Sequence, residues 1–174
     1  MQELKLLEQQ HPELITNESP TQRVGTEPTR KFTQAEHSVP MLSLGNVFNQ
    51  KDFMSWYQRT TELLEDVTFD IVCEPKFDGL AVAITYQDGL LIRGATRGDG
   101  SVGEDVTHNL RTIKSLPLKL LHEVPGRFEV RGEVIFPKTA FKEFNQRRKN
   151  DGLQPYANTR NTAAGSIRQL DPRV

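Results

Sequence analysis

The sequence predicts an α+β fold whose β-strands pair antiparallel. Two strand-like segments, Leu80 to Tyr86 and Leu90 to Thr96, are separated by Asp88-Gly89, a dipeptide typical of a tight hairpin turn. A third segment, Arg127 to Phe136, alternates apolar and polar residues with the period of a strand. Segments with helical spacing stand before and after these strands, so both kinds of element are expected in one chain.

Composition limits the classes of protein that this chain can represent. Its 174 residues leave room for one domain or for a piece of a larger protein. The 36% hydrophobic and 26% charged residues are typical of a soluble globular chain. The N-terminus has no signal-peptide core, and no apolar run has the length of a membrane span. Cys73 is the only cysteine, which excludes an intrachain disulfide and a cysteine-based zinc site. We therefore expect a cytoplasmic protein with no membrane partner.

The N-terminal part is predicted to contain a short helix, a connector and a second helix. Residues 4–10 have amphipathic helical spacing and stop before Pro12, whereas residues 16–40 are rich in Ser, Thr, Pro, Gly and charge and predict an extended connector. Asn49 is the predicted N-cap of a helix through Asp66, with Asp52 in its first turn. We interpret its apolar repeat as a stripe facing the core, formed by Phe53, Trp56, Tyr57, Thr60, Leu63 and Leu64.

The stretch from Val72 to Ala81 carries a lysine and two carboxylates that are candidate functional residues. It predicts a buried strand that runs into a tight turn. Because a strand alternates faces, Glu74 and Lys76 share one side, with Asp78 just beyond and Gly79 supplying the permissive backbone. A deprotonated lysine there is a candidate nucleophile toward phosphorus. The alternative is an exposed strand end with weak ion pairs.

A glycine-rich turn follows the hairpin at residues 97–105. Its glycines permit close approach of a ligand to the backbone, and Ser101 with Glu104 predicts a capping box for a helix over Val106 to Ile113. A glycine-rich turn before a helix can bind a phosphate group, but the same residues are equally typical of a hairpin turn that binds no ligand. The spacing is not that of a Walker loop.

The C-terminal part combines a strand, a helix and a basic end. In the strand over Arg127 to Phe136, the polar face formed by Arg127, Glu129, Arg131 and Glu133 is interpreted as solvent-facing. Pro137 ends it, and a helix begins at Thr139, packs Phe141 and Phe144 inward and ends at Asp151-Gly152. From Lys138 to Val174, eight Lys and Arg residues face three acids. In this basic end, Arg160 and Arg168 are candidate phosphate-binding forks and the small residues around them allow close approach of a partner.

Six motifs in register resemble the bacterial NAD-dependent DNA ligases, and the resemblance extends from Ser19 to Pro172. They are residues 41–44 (MLSL), 73–81 (CEPKFDGLA), 95–100 (ATRGDG), 103–107 (GEDVT), 129–134 (EVRGEV) and 160–172 (RNTAAGSIRQLDP). The resemblance implies an antiparallel-sheet nucleotidyltransferase (adenylation) domain of the DNA ligase/mRNA-capping type, truncated. Residues 41–174 would be its first part, residues 16–40 the connector, and residues 1–15 a remnant of the N-terminal helical domain that binds nicotinamide mononucleotide.

The same resemblance implies a reaction and a role for individual residues. Lys76 would attack the α-phosphorus of NAD and become a lysyl-adenylate, after which AMP passes to the 5′-phosphate of nicked DNA and the strand is sealed. Asp78 would help organise Mg²⁺. The other implied roles are the adenine edge for Glu74, the nucleotide pocket for Ser43 and Leu44, the ribose and phosphates for Arg97, the ribose hydroxyl for Glu133, and DNA phosphates for Arg160 and Arg168.

The implied cofactors and partners are NAD, Mg²⁺ and nicked double-stranded DNA, bound by a monomer in the bacterial cytoplasm; the family's zinc site is not in this chain. Two alternatives stay open. An ATP-dependent lysyl-nucleotidyltransferase shares Lys-x-Asp-Gly but lacks residues 41–44 and 160–172 as they stand here. A catalytically incomplete remnant would bind nicked DNA or a partner without turnover, because the family's later lysine motifs lie beyond Val174.

Overall fold

A computed structural model of the chain describes residues 2–16, 19, 21, 31–65, 67–122 and 124–170. The chain divides into two compact units, one formed by Met1–Met41 with Phe77–Val174 and the other by Leu42–Lys76. The elements in chain order are α1 (Gln2–Gln10), a 3₁₀ turn (Pro12–Leu14), β1 (Gln34–Glu36), α2 (Gln50–Leu63), β2 (Leu80–Gln87), β3 (Leu90–Thr96), β4 (Val102–Glu104), α3 (Thr107–Arg111), β5 (Arg127–Val134), α4 (Lys138–Asn150) and α5 (Thr159–Ile167). The predicted mixture of helices and antiparallel strands is confirmed.

The main sheet of the first unit has the order β3-β2-β5, with both pairs antiparallel. The hairpin between β2 and β3 turns at Asp88 (φ 49°) and Gly89 (φ 80°), and two consecutive residues with positive φ match the twist of the flanking strands. The hairpin predicted at Asp88-Gly89 is therefore confirmed. A bulge lies in this pair, since Thr85 faces Arg93 whereas Tyr86 faces Leu91.

The third strand, β5, pairs with β2 from Leu80 opposite Val134 to Gln87 opposite Arg127. The strand predicted over residues 127–136 is confirmed, and it ends two residues earlier than predicted. Its apolar face is not fully covered, because Phe128 is 43% exposed and Val130 is 40% exposed. β5 is one of the two edge strands of this sheet.

The core of the first unit lies on one face of β2. It joins side chains from β2, β3, α3, the following loop and α5, namely Val82, Ile84, Tyr86, Leu91, Val106, Leu110, Leu118 and Ile167. Leu110 is fully buried, and a Cβ on Gly94 would lie 2.3 Å from its Cδ1 atom. Gly94 in β3 therefore makes the space for Leu110, whose burial contributes about 1.5–3 kcal/mol.

A small second sheet pairs β1 with β4, placing Ala35 opposite Gly103. β1 lies within residues 16–40, so the part of the predicted connector at residues 34–36 forms a strand. The predicted capping box of Ser101 and Glu104 is wrong, because Glu104 belongs to β4 and helix α3 begins only at Thr107. The Asp105 carboxylate takes over that task and accepts a hydrogen bond from the Thr107 backbone N–H at 3.0 Å.

The unit Leu42–Lys76 is built on α2. The predicted N-cap is confirmed, because the Asn49 side chain accepts a hydrogen bond from the Asp52 backbone N–H at 2.9 Å. The helix ends at Leu63, and Asp66, its predicted end, is outside the described residues. The predicted core stripe is wrong, since no residue of α2 is buried and Leu63 is 83% exposed. Helical spacing records only which residues share a face, not whether a second layer covers it.

The buried strand predicted to begin at Val72 and to run into the turn at Asp78 is also absent from the described structure. These residues have no helix or strand assignment, they take part in no described sheet, and Val72 is 81% exposed. Alternation of side chains requires only an extended backbone, whereas a strand needs a neighbour for its N–H and C=O groups. No described strand pairs with this segment.

The two C-terminal helices follow the sequence pattern more closely. α4 begins at Lys138, one residue before the prediction, and ends at Asp151 and Gly152, whose φ of 71° suits glycine. The Phe144 ring stacks on Tyr156 with centroids 6.1 Å apart and packs at a tilt against Phe136 with centroids 5.6 Å apart. Among the described residues, no helix combines the length and apolar character needed to cross a membrane.

Candidate functional site

The turn at Asp78 and Gly79 directly precedes β2. The Gly79 backbone N–H donates to the Glu133 Oε1 atom at 3.0 Å, which ties the turn to β5. A Cβ at position 79 would lie 2.1 Å from the Val134 carbonyl oxygen. Only glycine therefore fits, because any side chain would collide with the backbone of β5.

Helix α5 reaches the same turn through an ion pair. The Arg160 Nη1 atom donates to the Asp78 Oδ1 atom at 3.1 Å. Asn158 caps the helix by accepting from the Asn161 backbone N–H at 2.7 Å, which orients the first turn that carries Arg160. Two residues predicted for different tasks, one for the metal and one for DNA, are thus brought into contact.

The turn that carries Arg97 connects β3 to β4. The Arg97 backbone N–H donates to the Ala81 carbonyl at 3.0 Å, and Gly98 adopts a φ of 58° with no room for a Cβ beside the Val102 carbonyl. The Asp99 Oδ1 atom accepts from the backbone N–H groups of Ser101 and Val102, both at 2.8 Å. These two hydrogen bonds hold the pKa of Asp99 below its usual value. The loop is therefore a rigid, glycine-dependent turn.

Arg168, at the end of α5, makes a two-pronged ion pair with Glu104 of β4. Its Nε and Nη2 atoms lie 2.7 and 2.8 Å from the two carboxylate oxygens. This is the fork geometry in which arginine binds carboxylates or phosphates. Both predicted DNA-binding arginines thus hold an acidic side chain of the chain itself.

The unit Leu42–Lys76 holds the other four predicted site residues: Ser43, Leu44, Glu74 and Lys76. All four are exposed, and Lys76 is its last residue. Asp78, Arg97, Glu133, Arg160 and Arg168 belong to the first unit. Within that unit the structure brings Asp78 to Arg160 and Glu133 to the Gly79 backbone.

Sequence reasoning missed a strap formed by residues Glu36–Met41. Two arginine side chains from outside the strap donate to its main-chain carbonyls. A third side chain, which belongs to the strap, binds the neighbouring turn. Arg93 Nη2 donates to the Glu36 carbonyl at 3.1 Å, and Arg131 donates to the carbonyls of Val39 and Pro40. The third, His37, reaches back to the Arg97 turn.

The polar face of β5 is solvent-exposed at Arg127, Arg131 and Glu133, as predicted, and two of these side chains also bind distant segments. Arg131 Nε lies 3.0 Å from the Glu129 Oε1 atom, which orients the guanidinium toward the strap. Glu133, on the same face, binds the Gly79 backbone. The polar residues at 131 and 133 therefore bind two distant segments of the chain, the strap and the Asp78-Gly79 turn. Sequence alternation could not have identified their partners, which lie more than fifty residues away.

Comparison with known proteins gives two family matches. The family described as NAD-dependent DNA ligase adenylation domain matches residues 29–174, and the family described as DNA ligase-like, N-terminal NAD⁺-binding domain matches residues 1–25. Together the two matches include all nine predicted site residues.

Similar curated proteins carry the name DNA ligase. The one from Dehalococcoides mccartyi (strain ATCC BAA-2266 / KCTC 15142 / 195) is 53% identical over 174 residues, which are 100% of this chain and 26% of the relative. The one from Halothermothrix orenii is 56% identical over 174 residues, again 100% of this chain and 26% of the relative. The one from Methylococcus capsulatus is 53% identical over 175 residues, with the same two shares. The chain spans about a quarter of the length of these relatives.

Proposed function

The chain belongs to the NAD-dependent DNA ligase adenylation-domain family, and we propose on that basis that it carries the nucleotide-transfer chemistry of an NAD-dependent DNA ligase. The Lys76 Nζ atom, after losing a proton, attacks the α-phosphorus of the AMP half of NAD. A phosphorus–nitrogen bond forms, the bond to the phosphate of nicotinamide mononucleotide breaks, and that mononucleotide leaves. AMP then passes to the 5′-phosphate at a DNA nick, and the 3′-hydroxyl displaces AMP to seal the strand.

The observation that carries the proposal is the meeting of three kinds of predicted residue at one turn. Asp78 ion-pairs with Arg160, and the next residue, Gly79, donates its backbone N–H to Glu133. Lys76 stands two positions before Asp78 in the sequence. The turn that follows Lys76 in the sequence is held by both a strand and a helix of the first unit.

The remaining nucleotide contacts are assigned by the family resemblance. Glu74 reads the adenine edge, Ser43 and Leu44 line the nucleotide pocket, and Arg97 binds the ribose and phosphates. Glu133 binds the ribose hydroxyl. A carboxylate has about four lone-pair sites, so the hydrogen bond from Gly79 leaves Glu133 able to accept from a hydroxyl.

We also propose a magnesium ion that is held mainly by the phosphates of the substrate and by only one carboxylate of the described residues. The described residues contain no group of three or more His, Cys, Asp or Glu side chains suited to a metal. Mg²⁺ is commonly bound through one or two carboxylates together with phosphates and water, and the Asp78 side chain is 72% exposed. Asp78 would be its protein ligand, and the ion would neutralise charge on the phosphates.

We assign DNA contact to Arg160 and Arg168. Each guanidinium now faces a carboxylate, and a phosphate of the nicked duplex would replace that carboxylate as the acceptor. Both pairs are partly solvated, so exchanging one anion for another has a small cost. Binding would therefore depend on salt concentration.

The proposed fold is the first part of an antiparallel-sheet nucleotidyltransferase domain, acting as a monomer in the bacterial cytoplasm. The proposed domain limits are residues 1–15 for the nicotinamide-mononucleotide domain, 16–40 for the connector and 41–174 for the adenylation domain. NAD is proposed over ATP as the nucleotide donor, because one matching family is described as NAD-dependent and the other as NAD⁺-binding.

A second candidate function is binding of nicked DNA without turnover. The observation that favours it is the state of the motif segment, since residues 67–78 have no helix or strand assignment and no described strand partner, and Lys76 is exposed. A nucleophilic lysine works best in a pocket that excludes water.

Intact-protein mass spectrometry after incubation with Mg²⁺ and either NAD or ATP tests the two functions. We expect the mass of one AMP to be added from NAD in the wild-type chain and in Lys142→Ala, an exposed-lysine control. No addition is expected in Lys76→Ala. Labelling that persists in Lys76→Ala would remove the assignment of the nucleophile. A folded chain that gains no AMP but binds nicked DNA would favour the second function.

A further inference from the structure

His37 brackets the turn that carries Arg97 at both of its ends. Its Nε2 atom lies 3.0 Å from the Thr96 carbonyl oxygen and 3.2 Å from the Arg97 carbonyl oxygen. Its backbone N–H donates to the Ser101 carbonyl at 2.9 Å. We propose that His37 is a positioning residue, which fixes the backbone of this turn and thereby the place of Arg97 in the nucleotide site.

The hydrogen-bond partners identify the protonated nitrogen of the ring. Both atoms near Nε2 are carbonyl oxygens, and a carbonyl oxygen only accepts. Nε2 therefore carries the proton and donates to Thr96 and Arg97 together. The bond reaches 59 and 60 positions along the chain, so it links the strap directly to the turn.

The second ring nitrogen supports the same interpretation. The Nδ1 atom of His37 is buried and has no hydrogen-bond partner among the described residues. Leaving a buried polar atom unpaired is unfavourable. An apolar residue would fill this space without the unpaired nitrogen. The hydrogen bonds donated by Nε2 therefore explain why a histidine stands at this position.

The contacts of the turn show what this donor controls. The Arg97 carbonyl also accepts from the Gly100 backbone N–H at 3.0 Å, and Gly100 in turn accepts from the Met41 backbone N–H at 2.8 Å. A Cβ at Gly103 would lie 1.7 Å from the Thr96 carbonyl oxygen and 3.2 Å from the His37 Nε2 atom. The His37 side chain therefore contacts both the Thr96 and the Arg97 carbonyl at a point where the backbone of Gly103 is closely packed.

The role of the turn in nucleotide binding rests on the proposed function, whereas the positioning itself does not. Arg97 would orient ribose and phosphates by its guanidinium, whose reach depends on where its backbone lies. His37 is not proposed to contact the nucleotide. It acts through the main chain of Arg97.

Two conservative variants separate the donor from the shape of the ring. In His37→Gln the amide nitrogen is placed near the position of Nε2, whereas in His37→Asn it is placed near Nδ1. The glutamine variant should therefore keep the donor and the asparagine variant should lose it. His37→Ala removes both, and thermal unfolding of all four proteins checks that each is folded.

The test uses the 174-residue chain and three readouts. Nitrogen-15 NMR of the imidazole reports which nitrogen holds the proton. Amide hydrogen exchange reports the protection of the Gly100 and Met41 N–H groups, with the Tyr86 N–H of β2 as an internal reference. The NAD concentration that gives half-maximal AMP addition, and the maximal rate of addition, report the nucleotide site.

We expect the Nε2–H tautomer, and protection at Gly100 and Met41 that falls about tenfold in His37→Asn and His37→Ala but stays near wild type in His37→Gln. The half-maximal NAD concentration should rise by a similar factor in the same two variants, with a smaller change in the maximal rate. An Nδ1–H tautomer, or equal protection in all four proteins, would overturn the proposal. If the wild-type chain gains no AMP, the proposed function fails while the first two readouts still decide the positioning.

Discussion

Arg160 and Asp78 form an ion pair at 3.1 Å although they are 82 positions apart in the sequence. Both side chains are largely exposed, at 61% and 72%. Exposed pairs contribute about 0–1 kcal/mol to folding, so stability does not explain this contact. It instead couples the residue assigned to DNA with the acid of the Lys-x-Asp-Gly motif.

Replacing Arg160 should therefore separate DNA binding from stability. We expect Arg160→Ala to change the free energy of unfolding by less than about 1 kcal/mol. Nicked-DNA affinity should fall, and the salt dependence of log K should become shallower by about 0.9 for one lost phosphate contact. AMP addition should change less than DNA binding. Fluorescence anisotropy with nicked duplex at several salt concentrations measures the affinity and the slope.

Arg127→Ala is the matched control for that experiment, because Arg127 is an exposed arginine of β5 with no described ion pair. Its salt slope should stay at the wild-type value. An equal loss of DNA binding and AMP addition in Arg160→Ala would contradict a DNA-contact role and would point to a role in folding the turn.

The Arg168–Glu104 pair predicts an effect of the opposite sign. Glu104 occupies the Arg168 guanidinium fork at distances of 2.7 and 2.8 Å, so under the proposed function it would compete with a DNA phosphate. Glu104→Gln weakens that competition, so nicked-DNA affinity should rise by up to about 1 kcal/mol, whereas Arg168→Ala should lower it. The same anisotropy titration measures both. Weaker binding in Glu104→Gln would mean that Glu104 orients Arg168 for DNA and does not compete with it.

The local signals in the sequence predicted the elements whose stability is local. Asp88-Gly89 identified the hairpin because the dipeptide tolerates two positive φ angles, and Asn49 identified the start of α2 because its side chain caps a neighbouring N–H. Motif residues in register identified the family. The hairpin turn and the helix cap depend only on residues a few positions apart.

The failures concern contacts between distant residues. The alternation around Val72 predicted a buried strand, but burial needs a covering layer that periodicity does not report. His37 and Arg131 lay in segments interpreted as a connector and a solvent-facing strand, and their carbonyl partners lie 59 to 92 positions away. A single sequence carries no signal for such pairs, because a carbonyl is present in every residue.

The Asp78-Gly79 turn gives a test of packing with an internal control. A Cβ at Gly79 would lie 2.1 Å from the Val134 carbonyl oxygen, whereas a Cβ at Gly132 would meet nothing within 4 Å. Gly79→Ala should therefore cost about 1–3 kcal/mol or more of unfolding free energy, and Gly132→Ala should be close to neutral. Urea denaturation followed by circular dichroism measures both. Equal stability of the two variants would show that the turn can move away from β5.

Asp99 predicts how the Arg97 turn responds to acid. Hydrogen bonds from Val102 and Ser101 lower its pKa in the folded state below the ordinary value of 3.8. A lowered folded-state pKa stabilises the protein above the unfolded-state value, and this contribution is lost as the pH falls through the folded-state pKa. Asp99→Asn keeps an acceptor oxygen but removes the charge. We therefore expect it to unfold at a lower temperature than wild type at pH 7, with the difference shrinking below about pH 4.

Thermal unfolding between about pH 7 and pH 3 measures this difference. Asp99→Ala should be less stable than Asp99→Asn at every pH, because it also leaves the two N–H groups without their acceptor. Asp70→Asn is the control, since the exposed Asp70 carboxylate accepts no described hydrogen bond, and its difference from wild type should be small throughout. If the difference in unfolding temperature between Asp99→Asn and wild type stayed constant with pH, the carboxylate charge would not strengthen the hydrogen bonds from the Ser101 and Val102 N–H groups.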